Sequence, residues 1–119
     1  MASIDPSCEL LGDFFTIFAH ASRMKILCAL QGGPKTVTEI ASHTELAIPN
    51  VSQHLRLMRD KRAVKAEKQA QKVYYQMADP RIVQAMRLIG EALKDRLHHE
   101  VAQGEDPPQP NRQRRNAQA

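Results

Sequence analysis

The chain predicts a mainly α fold carrying one small β-wing, and three observations point there. Apolar residues recur at helical spacing through residues 10–58 and again from 82 to 97. Between these blocks, "AVKAEK" (63–68) and "KVYYQM" (72–77) are short and rich in valine and tyrosine, the composition of two paired strands. Positive charge also concentrates around that pair. Residues 56–72 hold Arg56, Arg59, Lys61, Arg62, Lys65, Lys68 and Lys72 against Asp60 and Glu67. The 119 residues fit one domain with one modest core, which a shared subunit interface would enlarge.

Residues 6–19 read as the first helix, with Leu10, Leu11, Phe14, Phe15, Ile17 and Phe18 spread around most of its circumference. A helix packing on one side needs only one apolar stripe. Two apolar sides imply one face for its own domain and one for a second subunit. Ser22 reads as the cap of a second helix with Ile26, Leu27 and Leu30 inward, ended by "GGP" at 32–34. A short third helix from Val37 to His43 starts at Thr36 or Thr38, with Glu39 placed to complete the cap. The fourth runs from Ile48 to Lys61. At about 100° per residue, Val51, Leu55 and Met58 share its inner face. Gln53 and Arg56 point away from that face, with Asn50 and Ser52 on its flanks.

"QAQ" (69–71) joins the two strands without the Asn-Gly pair of a tight hairpin. Tyr74 and Tyr75 alternate on the second strand, one packing and one outward. Asp79 and Pro80 open the last helix as N-cap and first helical residue. Its Ile82, Met86, Ile89, Leu93 and Leu97 hold one stripe suited to dimerisation. The domain is expected to span 1–102, and the polar, proline-rich 103–119 to be a disordered tail. In that tail Arg112, Arg114 and Arg115 offer further phosphate contacts. No internal repeat is apparent.

Helix, helix, helix, helix, strand, strand, helix is the order of a winged helix-turn-helix, dimerised through its first and last helices. The major groove of DNA admits one helix, whose outward polar side chains read base edges. Asn50, Ser52, Gln53 and Arg56 take that place here. Asn and Gln suit adenine, while Arg suits guanine or phosphate. Lys65, Lys68, Gln71 and Lys72 on the wing add contacts to the sugar-phosphate backbone. A net charge of +4 and a pI near 9.3 favour the same anionic partner.

Other classes fit less well. Asp5, Glu9 and Asp13 interrupt the place of a secretory apolar core, and no stretch approaches the roughly 18 apolar residues that span a bilayer. A cytoplasmic protein with reduced thiols and no membrane partner is expected. Ser52 and His54 resemble a nucleophile and base, but residues two apart on a helix diverge by about 200°. No enzyme is predicted and no cofactor. A non-DNA interaction module using the apolar helices is the alternative class, and the basic wing speaks against it.

"VSQHLRLMRD" (51–60) followed by "QKVYYQMAD" (71–79) resembles the ArsR/SmtB family of dimeric bacterial repressors, over roughly residues 10–100. The resemblance implies a homodimer that binds a palindromic operator, represses transcription and leaves DNA when an inducer binds or oxidises it. Two departures bear on DNA reading. "LAIPN" (46–50) stands where the family has a serine-rich run, so Ala47 caps poorly and Ile48 offers an apolar contact to a thymine methyl. Arg62 stands where the family often has glycine.

The family's metal sites are not reproduced. "TVTEIASH" (36–43) has no cysteine, and Asp79 is followed by Pro80 and Arg81 where the zinc sensors need a histidine. His98, His99 and Glu100 remain weak candidates for a metal inducer, against a solvated helix end. "ILCAL" (26–30) and "AQKVYY" (70–75) look closest to the sulfide- and redox-responsive BigR/SqrR/HlyU branch. In that branch a second-helix cysteine, here Cys28, bridges to one near the end of the last helix. "KDRLHHE" (94–100) supplies none, leaving Cys8 as the other redox candidate. Packing and sensing stand side by side for Cys28, since a free cysteine is also a small hydrophobe. Release by persulfide or oxidant, by a metal, or by no cysteine-dependent signal are the alternatives.

Overall fold

The computed structural model of the protein describes residues 6–104. In chain order it contains α1 (Pro6–Phe15), a 3-10 turn (Thr16–Ala19), α2 (Ala21–Leu30), α3 (Val37–Thr44), α4 (Ile48–Asp60), β1 (Val64–Gln69), β2 (Lys72–Met77) and α5 (Pro80–Ala102). This is the winged helix-turn-helix order. The tail expected from 103 onward lies almost wholly outside the described residues, with Arg112, Arg114 and Arg115 in it.

The first helix is shorter than its periodicity implies. At Thr16 the hydroxyl donates to the Asp13 carbonyl at 2.6 Å, and the chain tightens into the 3-10 turn. Phe14, Phe15 and Phe18 pack as a ring cluster there, with centroids 5.2 to 6.4 Å apart. Ser22 is not the cap of α2. His20 is extended (φ −111°, ψ 123°), and its carbonyl accepts the Met24 amide at 2.9 Å, so the helix begins at Ala21. The expected cap of α3 is present: Thr36 Oγ1 accepts the Glu39 amide at 3.2 Å and lies 3.0 Å from Glu39 Oε1.

Helix α4 has Ala47 as its N-cap, which offers no side-chain hydrogen bond, and ends in a Schellman motif. The Ala63 amide reaches back to the Met58 carbonyl at 2.8 Å and the Arg62 amide to that of Arg59 at 3.0 Å. Arg62 is the left-handed residue of the motif, at φ 62°. Because Ala63 is used in this way, β1 begins at Val64 rather than at Ala63. The strands pair antiparallel from Val64–Met77 to Gln69–Lys72, leaving Ala70 and Gln71 as a two-residue loop. Ala70 carries that turn at φ 56° in a position that normally selects glycine. Tyr74 and Tyr75 do not divide into one packed and one outward ring, since both are half-buried.

Ile17, Ile26, Leu27, Ile40, Val51, Leu55 and Met58 form the centre of the core, each no more than 1% exposed. Val64 and Met77 close it at the root of the hairpin. Lys35, between α2 and α3, exchanges both backbone hydrogen bonds with Tyr75, at 2.9 and 2.8 Å, and so ties the helices to the wing. The segment 81–104 is a separate compact unit. Within it α5 buries no residue, and Ile89, Leu93 and Leu97 are 53%, 64% and 37% exposed.

Candidate nucleic-acid interface

Helix α4 is held by its inner row, Val51, Leu55 and Met58, which fixes the direction of everything else on it. Asn50, Ser52, Gln53 and Arg56 all emerge exposed on its outer surface. Ile48, at the first helical position, is 50% exposed beside them. The helix therefore offers amide, hydroxyl, guanidinium and one apolar group together, the chemical range needed to distinguish base edges.

The hairpin adds cations of a different kind. Strand alternation and the Gln69–Lys72 pairing place Lys65 and Lys72 on one face. Lys68 lies on the other, near the tip, and Gln71 sits in the loop. All four are exposed. Among the described residues, no carboxylate pairs with Arg56, Lys65, Lys68 or Lys72. Lys61 is committed to Asp13 at 3.3 Å, tying the end of α4 to α1. Cations on both faces of a narrow ribbon suit a wing that lies between two lines of phosphate.

The remaining candidates are dispersed. Cys8 on α1 and Cys28 on α2 are both exposed free thiols, so Cys28 is not buried packing material. Cys28 lines an open cleft with Met24, Lys25, His43, Thr44 and Glu45, at the junction of α2 and the end of α3. Thr44 is buried there, its hydroxyl satisfied by the Ile40 carbonyl at 2.7 Å. At the end of α5, His98 and His99 are exposed and Glu100 is half-buried, while His99 Nε2 lies 2.8 Å from Gln103 Nε2. Among the described residues, no three or more His, Cys, Asp or Glu side chains gather as a metal site. Nor is any described helix long and apolar enough to cross a membrane.

One cluster escapes a linear reading of the chain. The rings of His20 and His54 meet with centroids 4.8 Å apart, beside Arg23. Burial, then His20 and Arg23, hold the His54 imidazole below its ordinary range. Burial, then Arg23, do the same to His20. His54 therefore faces His20 rather than Ser52, which leaves the nucleophile-and-base pairing without geometry. Nothing local in the sequence signals a partner for His54 that lies 34 positions away.

Comparison with known proteins gives this arrangement its setting. Residues 20–66, from the start of α2 into β1, match the family described as bacterial regulatory protein, arsR family. The chain is 28% identical over 87 residues to the transcriptional repressor SmtB homolog of Synechocystis, covering 73% of this chain and 66% of that protein. It is 33% identical over 76 residues to the HTH-type transcriptional regulator YgaV of Escherichia coli, covering 63% of this chain and 77% of the relative. Its fold is shared by the homodimeric winged helix-turn-helix DNA-binding domain of Mb0332 from Mycobacterium bovis. That likeness has a TM-score of 0.73 at 21% identity, over 83% of this chain and 95% of the other. With five helices and a two-stranded antiparallel wing, and with relatives that are transcriptional regulators, the chain belongs to the arsR family of bacterial transcriptional regulators.

Proposed function

We propose that the protein is a homodimeric repressor that reads a palindromic operator through α4 and leaves it when Cys28 is modified. The observation that carries the DNA reading is the shared exposure of Asn50, Ser52, Gln53 and Arg56 on α4 with Lys65, Lys68, Gln71 and Lys72 on the hairpin. In this reading the α4 residues contact base edges and the wing residues contact backbone. The dimer uses the exposed apolar residues of α1 and α5, Leu10, Leu11 and Phe15 on the one and Leu88, Ile89 and Leu93 on the other. Similarity to a repressor and to a homodimeric domain supports a DNA-binding dimer, while the residue roles rest on the exposure just described.

Thiol control is supported by the exposure of Cys28 and by its place on the second helix, where the sulfide- and redox-responsive branch keeps a reactive cysteine. The Cys28 thiolate attacks the outer sulfur of a persulfide, taking that sulfur and releasing the donor as a thiol. The chain's other thiol is Cys8; a bridge formed by its attack on the Cys28 persulfide would expel hydrosulfide.

The test is a gel shift on a duplex selected by the protein from a randomised pool. Gln53→Ala or Arg56→Ala should cost about 1–3 kcal/mol of specific binding each. Equal binding to selected and scrambled DNA would remove the operator reading. Separately, an organic persulfide should release wild-type protein but not Cys28→Ser. If Cys28→Ser is released equally well, control does not run through that thiol.

A further inference from the structure

Three basic groups come together where the start of α2 lies near the flank of α4. His20 is the N-cap of α2, yet its side chain makes no cap hydrogen bond. Arg23 lies one turn on. His54, directly after Gln53 on the reading helix, completes the contact with its ring 4.8 Å from that of His20. His20 Nδ1 and Arg23 Nε are buried with no hydrogen-bond partner among the described residues.

The surrounding elements bring no relief. The 3-10 turn Thr16–Ala19 contributes no titratable side chain, and β2 contributes Lys72, Tyr74 and Tyr75. On α1, Asp13 is engaged with Lys61, and Glu9 is exposed at the other end. On α3, Glu39 closes the cap with Thr36, while Glu45 lies at the cleft with Lys25, Cys28 and His43. Helix α4 itself adds Arg56, Arg59 and Asp60, and β1, packed against it, adds Lys65, Glu67 and Lys68, all exposed. The charge felt by His54 comes from His20 and Arg23, and that felt by His20 comes from Arg23. Neither ring has a carboxylate partner among the described residues.

We propose that His20, Arg23 and His54 form a proton-sensitive joint that positions the reading helix. Neutral imidazoles let α2 and α4 close on one another. Mild acidification adds charge beside Arg23, opens the joint and weakens specific DNA binding. The three act as positioning residues through α4 and need no contact with a base. The proposal rests on α4 being the DNA reader.

The sign of the effect separates this joint from ordinary electrostatics. DNA phosphates favour protonated histidine, so a basic protein without the joint binds equally or more tightly as pH falls. The experiment is fluorescence anisotropy on the pool-selected duplex at constant salt, between about pH 7.5 and about pH 5.5, across the ordinary imidazole range. Wild type is expected to lose about tenfold in affinity, the equivalent of about one unit of coupled pKa change. The His20→Asn/His54→Gln double variant should change less than about twofold, and His43→Gln should keep the wild-type loss. Circular dichroism at the lower pH confirms that the protein read in the assay is folded. If the double variant does not fold, His20→Asn alone must still shrink the loss.

Wild-type affinity that is flat or rises on acidification overturns the joint, as does an undiminished loss in the variants. A protein without specific binding even at about pH 7.5 would instead overturn the DNA reading, and the joint with it.

Discussion

Three described residues, Glu45 at the end of α3, Arg62 and Ala70, are held where their side chains are a burden. Arg62 at φ 62° and Ala70 at φ 56° both occupy the left-handed region, which costs a residue with a Cβ about 1–2 kcal/mol. At Arg62 the Schellman motif enforces it, because the amides of Arg62 and Ala63 must turn back to the end of α4. At Ala70 the two-residue hairpin enforces it. Glycine removes the strain but loosens the unfolded chain by about 0.4–1 kcal/mol, so the net gain is smaller than the strain itself. Arg62→Gly and Ala70→Gly are each expected to stabilise the fold by about 0.5–1 kcal/mol, raising the thermal midpoint by a few degrees. A midpoint that falls in both variants would show that the side chains contribute more than the backbone loses. The opposite change, Leu55→Ala, creates a cavity in the centre of the core and should cost about 2–5 kcal/mol in chemical denaturation.

At the scale of elements, a strip of sequence is legible when its own spacing carries the message. Val51, Leu55 and Met58 define the inner face of α4, and so fix which of its side chains point outward. Thr36 and Glu39 announce the start of α3 because their contact spans three residues. Contacts across long separations leave no such period. The Lys35 bridge to Tyr75, the His20 contact with His54 and the cleft around Cys28 are all made by tertiary packing. Helix α2 shows a related failure, since Ser22 has cap chemistry while the backbone turns at His20. The hairpin shows another, since its geometry overrides a loop without glycine.

Helix α5 is legible in its stripe, and exposure turns that stripe into a prediction. Leu93 is 64% exposed, so Leu93→Glu should leave the folding of the winged-helix unit nearly unchanged. In the proposed dimer it would bury a charge, which costs far more than it does in water. Sedimentation equilibrium is therefore expected to show a shift from dimer towards monomer. A variant as dimeric as wild type would place the interface elsewhere.

Across the whole molecule, the net charge of +4 matters less than where the cations lie. Lys65, Lys68 and Lys72 give each protomer three exposed cations on the hairpin, unpaired among the described residues. Each phosphate neutralised by such a group releases condensed counterions, and the number is read from the salt dependence of binding. Six contacts from a dimer would give a slope of log affinity against log salt of about −5. A fourfold rise in salt would then weaken binding about 10³-fold. Lys68→Ala removes one contact from each protomer, so the slope should become shallower by about 2 units. Gln53→Ala should behave differently: the affinity for the selected duplex falls, the slope stays, and non-specific binding is barely changed. Filter binding across a salt series separates the two outcomes. An unchanged slope in Lys68→Ala would detach the tip of the wing from the phosphates. A shallower slope in Gln53→Ala would mean that α4 meets the DNA backbone where it is proposed to read bases.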